Sequence, residues 1–125
     1  MVISLEEMEI MLDEIATGFP QELYRGLNGG IILLPEAKLN TASNKNNLYI
    51  LGEYHRGGGM GRYITIYYGS FSSVYGHLGK EAIKDQLQRV LKHEFTHHIE
   101  SLAGERGLEI KDARDIADYL NRKDS

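Results

Sequence analysis

The stretch "VLKHEFTHHIESLAGERG", residues 90–107, gathers three of the chain's five histidines into six positions. Within it, His93, Glu94 and His97 spell H-E-x-x-H. Residues four apart on an α-helix share one face, one turn from each other, so two imidazoles at that spacing can grip a single ion. Zinc suits such a pair, because it accepts neutral imidazole nitrogen and keeps a position for water in a tetrahedral site. Glu94, beside the first histidine, is then placed to take a proton from that water, whose pKa falls to about 7 on zinc.

The pattern around the motif is helical. Ile83, Leu87, Val90 and Leu91 fill the sector next to the His pair, while Glu81, Asp85, Arg89 and Lys92 fall on the side expected to be wet. The spacing predicts a helix over about 80–103, with Gly104 as the residue just past its end. Histidines that merely pack or face solvent would account for any one of the three. They account poorly for a pair with a glutamate between them on the core-facing edge of a helix. His98 projects further into the apolar sector, and is expected as a hydrogen-bonded core histidine or an outer contact of the site.

Outward from this helix, Ser4 and Glu7 form a capping box for a first helix, which Gly18 and Pro20 stop. A short helical turn is expected over 20–27 and a buried strand over 31–34. Residues 36–47 read as a polar loop. The runs "LYILGEY" (48–54) and "RYITIYY" (62–68) read as two strands, joined by "HRGGGMG" as a hairpin tip. That glycine run feeds a strand, whereas a phosphate loop feeds a helix N-terminus. Arg56 and Arg62 are expected to be solvated. Residues 69–80 read as a loop, and Ala113, Ile116, Ala117 and Leu120 mark a closing helix. Helices around a small sheet give an α+β fold, as a single domain over 1–125.

Composition narrows the function further. A net charge of −4 and a pI near 5.7 argue against nucleic acid as the partner. Without cysteine there is neither a disulfide framework nor a Cys-based zinc site. The acidic, amphipathic N-terminus lacks the pattern of a secretory signal, and "IILL" (31–34) is too short to span a bilayer. A cytoplasmic protein without membrane association is expected.

A catalytic zinc needs a third protein ligand, for which Glu100, Glu105, Glu109, Asp112 and Asp115 are available. Glu100 lies almost a full turn beyond His97, too far along a straight helix to share the ion. One of the tyrosines Tyr49, Tyr54, Tyr63, Tyr67, Tyr68 and Tyr75, or His77, could stabilise the oxyanion of a hydrolytic intermediate; Tyr67, Tyr68 and Tyr75 precede the active-site helix, and nothing in the sequence selects among them.

"HEFTHHIESLAGERGLEIKDAR", with the strand and glycine-containing loop before it, resembles the small bacterial zincin-like metallopeptidases called minizincins. The similarity spans roughly residues 30–120, and its H-E-x-x-H-H core is the most specific part. It implies a minimal zincin-like domain, with a small mixed sheet packed against the N-terminal helix, the long active-site helix and a C-terminal helix. It also implies one zinc ion held by His93, His97 and a downstream aspartate, Glu94 as general base, and a peptide or protein substrate. Members with the short form carry Gly three residues after the second histidine and Asp three further on. This chain has Glu100 and Ala103 there. If the longer connection to Gly107 is an insertion, Asp112 takes the acidic ligand's place, although it also suits the N-cap of the closing helix.

Three further expectations follow. An exposed edge on the 62–68 strand would let a peptide add beside the metal. The rival to a peptidase is a non-catalytic metal-binding or protein-interaction module that keeps the helix. Hydrolysis of a non-peptide amide is weaker, because the deformylases that share this helix use a cysteine ligand.

Overall fold

A computed structural model describes residues 3–40 and 48–106 of the chain. The first helix, α1 (Leu5–Gly18), opens on the expected capping box: Ser4 Oγ accepts from the Glu7 amide, and Glu7 Oε1 accepts from the Ser4 amide, each at 3.1 Å. Phe19 breaks it with an extended backbone, and a single 3₁₀ turn follows at Gln21–Tyr24.

Five strands come next: β1 (Gly30–Leu34), β2 (Lys38–Leu39), β3 (Tyr49–Ile50), β4 (Gly52–His55) and β5 (Tyr63–Tyr67). Three form the main sheet in the order β1-β5-β4, with β1 parallel and β4 antiparallel to β5. β2 and β3 pair separately. The hairpin expected from the glycine run is therefore present, but β5 is the central strand. That corrects the idea of 62–68 as an edge: Ile64, Thr65, Ile66 and Tyr67 are all buried, as a strand covered on both faces requires. The outer positions belong to β1 and β4.

Residues 69–80 are not a loop. α2 (Tyr68–Tyr75) and α3 (Lys80–Arg106) follow β5 directly. α2 is held by tertiary contacts rather than by propensity. Phe71 is fully buried and the Tyr68 hydroxyl donates to the Ile3 carbonyl. Gly69 lies so close to Glu36 and Ala37 that a Cβ there would sit 2.5 Å from the Ala37 nitrogen.

α3 forms the floor of the domain. Ile83, Leu87, Leu91, Phe95 and Ile99 recur at helical spacing and are buried in one core with α1 and the sheet, and Leu102 is buried one turn further on. Phe95 takes the edges of Phe19 and Tyr24, with ring centroids 5.5 and 5.1 Å away. Three expectations fail along α3 and just before β5. The helix runs through Gly104 to Arg106, Lys92 is buried, and so is Arg62. Both cations have long aliphatic stems that can cross apolar surface. The architecture is mixed α+β, and no helix among the described residues is long and apolar enough to cross a membrane. The expected closing helix, with Asp112, Asp115 and Glu109, lies outside the described residues, as does the Glu105 side chain.

Candidate metal centre

β4 runs along α3 in the same direction. Gly52 lies over Val90, the Tyr54 hydroxyl meets His98, and Arg56 beyond the strand reaches Ser101. Gly52 permits the close approach, since a Cβ on it would be 2.8 Å from Val90 Cγ1 and 3.1 Å from Ile66 Cδ1. Between strand and helix opens a cleft of about 640 Å³, with His93, Glu94 and His97 in its wall.

The motif residues meet as helical spacing requires. The Nε2 atoms of His93 and His97 lie 3.1 Å apart, with ring centroids at 4.6 Å and planes nearly perpendicular. Two nitrogens at the ordinary Zn–N distance of about 2.0–2.1 Å and a tetrahedral angle would be separated by roughly 3.3 Å. The two rings therefore fit one small cation with little movement. Both histidines are exposed to the cleft, whereas Glu94 is buried at 5% exposure. Burial pushes its carboxyl up to about 7; His97 opposes the shift and Glu53 adds to it.

Glu100 is not arranged as a ligand of that cation. Its Oε1 lies 3.6 Å from Nδ1 of His97, on the side of the ring away from His93. A carboxylate there can orient the imidazole. Among the described residues no group of three His, Asp or Glu side chains is gathered for a metal. Among the described residues, His93 and His97 are thus brought together with no third candidate ligand gathered beside them.

His98 is fully buried and serves as a strut. Its Nε2 lies 2.7 Å from the Arg25 carbonyl and its Nδ1 2.8 Å from the Tyr54 hydroxyl. A carbonyl can only accept, so Nε2 carries the proton and Nδ1 accepts from tyrosine. One imidazole thereby ties the helix to the outer strand and to the turn after the 3₁₀ helix.

Comparison with solved structures finds a conserved hypothetical protein from Thermo thermophilus, 31% identical, with a TM-score of 0.71. The match takes in 81% of this chain and 98% of that one. The chain belongs to that protein's family. Neither the protein-family models nor the curated proteins return a match.

Within this family member, three of the candidate tyrosines, Tyr67, Tyr68 and Tyr75, have partners outside the motif. Tyr67 donates to Glu53 Oε1 at 2.6 Å, Tyr68 is bonded to Ile3, and Tyr75 packs against Phe71. None of the three, nor His77, lines the cleft, whereas Tyr54 and Glu53 do. Of the candidate tyrosines, Tyr54 is the one that reaches this cleft, on the same strand face as Gly52. Glu53, on the same strand, accepts from Lys38 Nζ at 2.7 Å. Burial raises its carboxyl, and the Lys38 and Tyr67 bonds more than offset that, leaving it below the ordinary value.

Proposed function

We propose that this protein is a zinc-dependent peptidase of the minizincin kind, a minimal zincin-like domain acting on peptide bonds. The observation that carries the reading is the 3.1 Å approach of the His93 and His97 Nε2 atoms beside buried Glu94, in a cleft flanked by an outer strand. Two like nitrogens turned toward each other make at most one hydrogen bond between them, whereas a shared cation uses both lone pairs. His93 and His97 would hold one zinc ion, with Asp112 or another downstream carboxylate as third ligand. When bound, zinc supplies a Lewis acid for the peptide carbonyl and lowers the pKa of a coordinated water.

The remaining chemistry falls to the chain's own groups. Glu94 takes the proton of the attacking water and delivers it to the leaving amine. Burial raises the Glu94 carboxyl and so favours its holding the proton between the two transfers. β4 ends the sheet, so an extended peptide can add to its outer edge and run past the motif histidines.

Zinc titration followed by calorimetry, with turnover of a peptide library read by mass spectrometry, tests the proposal. Wild type should bind one zinc and cut, Glu94→Gln should bind zinc and cut at least ~100-fold more slowly, and His93→Ala should do neither. Equal, near-background turnover of zinc-loaded wild type and Glu94→Gln would instead favour a non-catalytic metal-binding module.

A further inference from the structure

The sheet has a second outer strand, β1, at the edge opposite the His cleft. Ile31 and Leu33 pair with Ile64 and Ile66 and so share their face of the sheet, the one packed into the core with α1 and α3. Ile64 and Ile66 are fully buried, but Ile31 and Leu33 are only half-buried. The apolar layer therefore continues one strand further than the helices cover it. What stays open is a groove of about 470 Å³, with Ile31 and Leu33 on one side and Ile10 and Ala16 of α1 on the other. Ile10 is 62% exposed, the most exposed large hydrophobic side chain among the described residues.

The rim of this groove is acidic. Glu6, Glu7, Glu9, Asp13 and Glu14 are the charged residues of α1, and none is basic. Glu7 and Glu14 turn to Lys80 and Lys84 of α3, at 2.8 and 3.3 Å. Glu9 and Asp13 line the groove instead, and among the described residues neither has an ion pair. Like charges four apart on a helix repel, and a cation set between them removes the repulsion.

We infer that the groove between α1 and β1 receives an extended segment of a partner protein, one face of which carries aliphatic side chains flanked by lysine or arginine. The outer edge of β1 offers backbone groups to an added strand, in which every second side chain turns toward α1. Aliphatic groups there complete the layer that Ile31 and Leu33 leave open, and long basic side chains reach Glu9 and Asp13 at the rim. A second copy of the chain suits the groove poorly, because a two-fold pair sets the same acidic patch against itself. The surface lies across the sheet from the His pair and stands whether or not that pair binds zinc.

Titration of the full chain with Ac-Lys-Thr-Leu-Thr-Leu-Thr-Lys-NH2, with a chelator present so that no peptide is cut, tests this by amide resonances. Those of Ile10, Ile31 and Leu33 should move, and those of His93 and His97 should not. Replacing both lysines of the peptide with glutamate, or both leucines with serine, should weaken binding at least ~10-fold. Ile10→Ser should weaken it as well. Glu9→Lys with Asp13→Lys, both on the exposed surface of α1, should reverse the preference toward the glutamate peptide. Ac-Leu-Lys-Thr-Thr-Leu-Lys-Thr-NH2, of the same composition but helical spacing, should bind more weakly; tighter binding would make the occupant a helix and overturn the inference. Sedimentation that shows a dimer dissolved by Ile10→Ser would overturn it in favour of a second copy. No binding, shifts confined to the His cleft, or a charge preference unmoved by the double substitution would each overturn it too.

Discussion

The two sides of one turn of α3 use the same residue type in opposite ways. Inward, His98 is fully buried, with partners at both ring nitrogens on two other parts of the fold. Outward, His93 and His97 stand exposed at the cleft, turned toward each other. A buried polar ring is tolerated because it is satisfied, whereas an exposed pair needs no such compensation and stays available to a ligand. The string H-E-x-x-H-H therefore holds two functions: the second and third histidines, adjacent in sequence, divide availability from support.

The comparison breaks first at the inward side. Replacing His98 with alanine leaves a void and takes a partner from both the Arg25 carbonyl and the Tyr54 hydroxyl. We expect a loss of about 3 kcal/mol in chemical denaturation of the metal-free protein. A loss below ~0.5 kcal/mol would mean that β4 and α3 hold together without the strut.

Next in size is Glu94, which lies between the two sides: buried like His98, yet lining the cleft. Its carboxyl stands at about 7 in the fold against an ordinary 4.5, so the native state binds the proton more tightly than the unfolded chain. The stability from that proton is complete below about pH 4.5 and is lost as pH rises through 7, a change of roughly 3 kcal/mol. Metal-free Glu94→Gln escapes the loss. It should be more stable than wild type by about 2–3 kcal/mol at pH 8 and match it at pH 4.5. Saturating zinc should reverse the order at pH 8 by stabilising the wild-type carboxylate. An unchanged difference across that pH range would show that Glu94 ionises freely.

Gly52 sharpens the contrast in geometry. Gly52→Ala puts a Cβ 2.8 Å from Val90 Cγ1 and 3.2 Å from the Thr65 carbonyl oxygen, neither of which can withdraw without moving strand or helix. A destabilisation of about 2 kcal/mol is expected. The same substitution should weaken peptide binding along β4 while leaving zinc affinity unchanged, because the His pair sits on α3 alone.

These residues also mark how far the sequence could be read. Helical spacing was enough to bring His93, Glu94 and His97 together, because all three lie on one continuous helix and depend on no tertiary contact. The capping box at Ser4 and Glu7 was legible for the same reason. The place of β5 was not, since pairing order lives in contacts between segments, although its run of β-branched and aromatic residues, YITIY, is what a doubly covered strand carries. α2 was hidden because "YGSFSSVY" is poor in helix formers, and its stability comes from Phe71, Tyr68 and the space left by Gly69. Gly104 suggested a helix end, but glycine only permits an end and the helix continues through it. The burial of Lys92 and Arg62 was equally hidden, because residue type tells where the charge prefers to be and not where the aliphatic stem must pass.

The smallest expected effect is the most diagnostic. His93→Ala and His97→Ala remove exposed rings that contact each other and, for His97, the exposed Glu100. Metal-free stability should change by less than ~0.5 kcal/mol, against about 3 for His98. A ligand that binds only the native state adds stability by mass action, so zinc should raise the melting temperature of wild type and of neither variant. If instead either substitution costs as much as losing His98, the pair is structural, and the division of labour within this turn disappears together with the metal site.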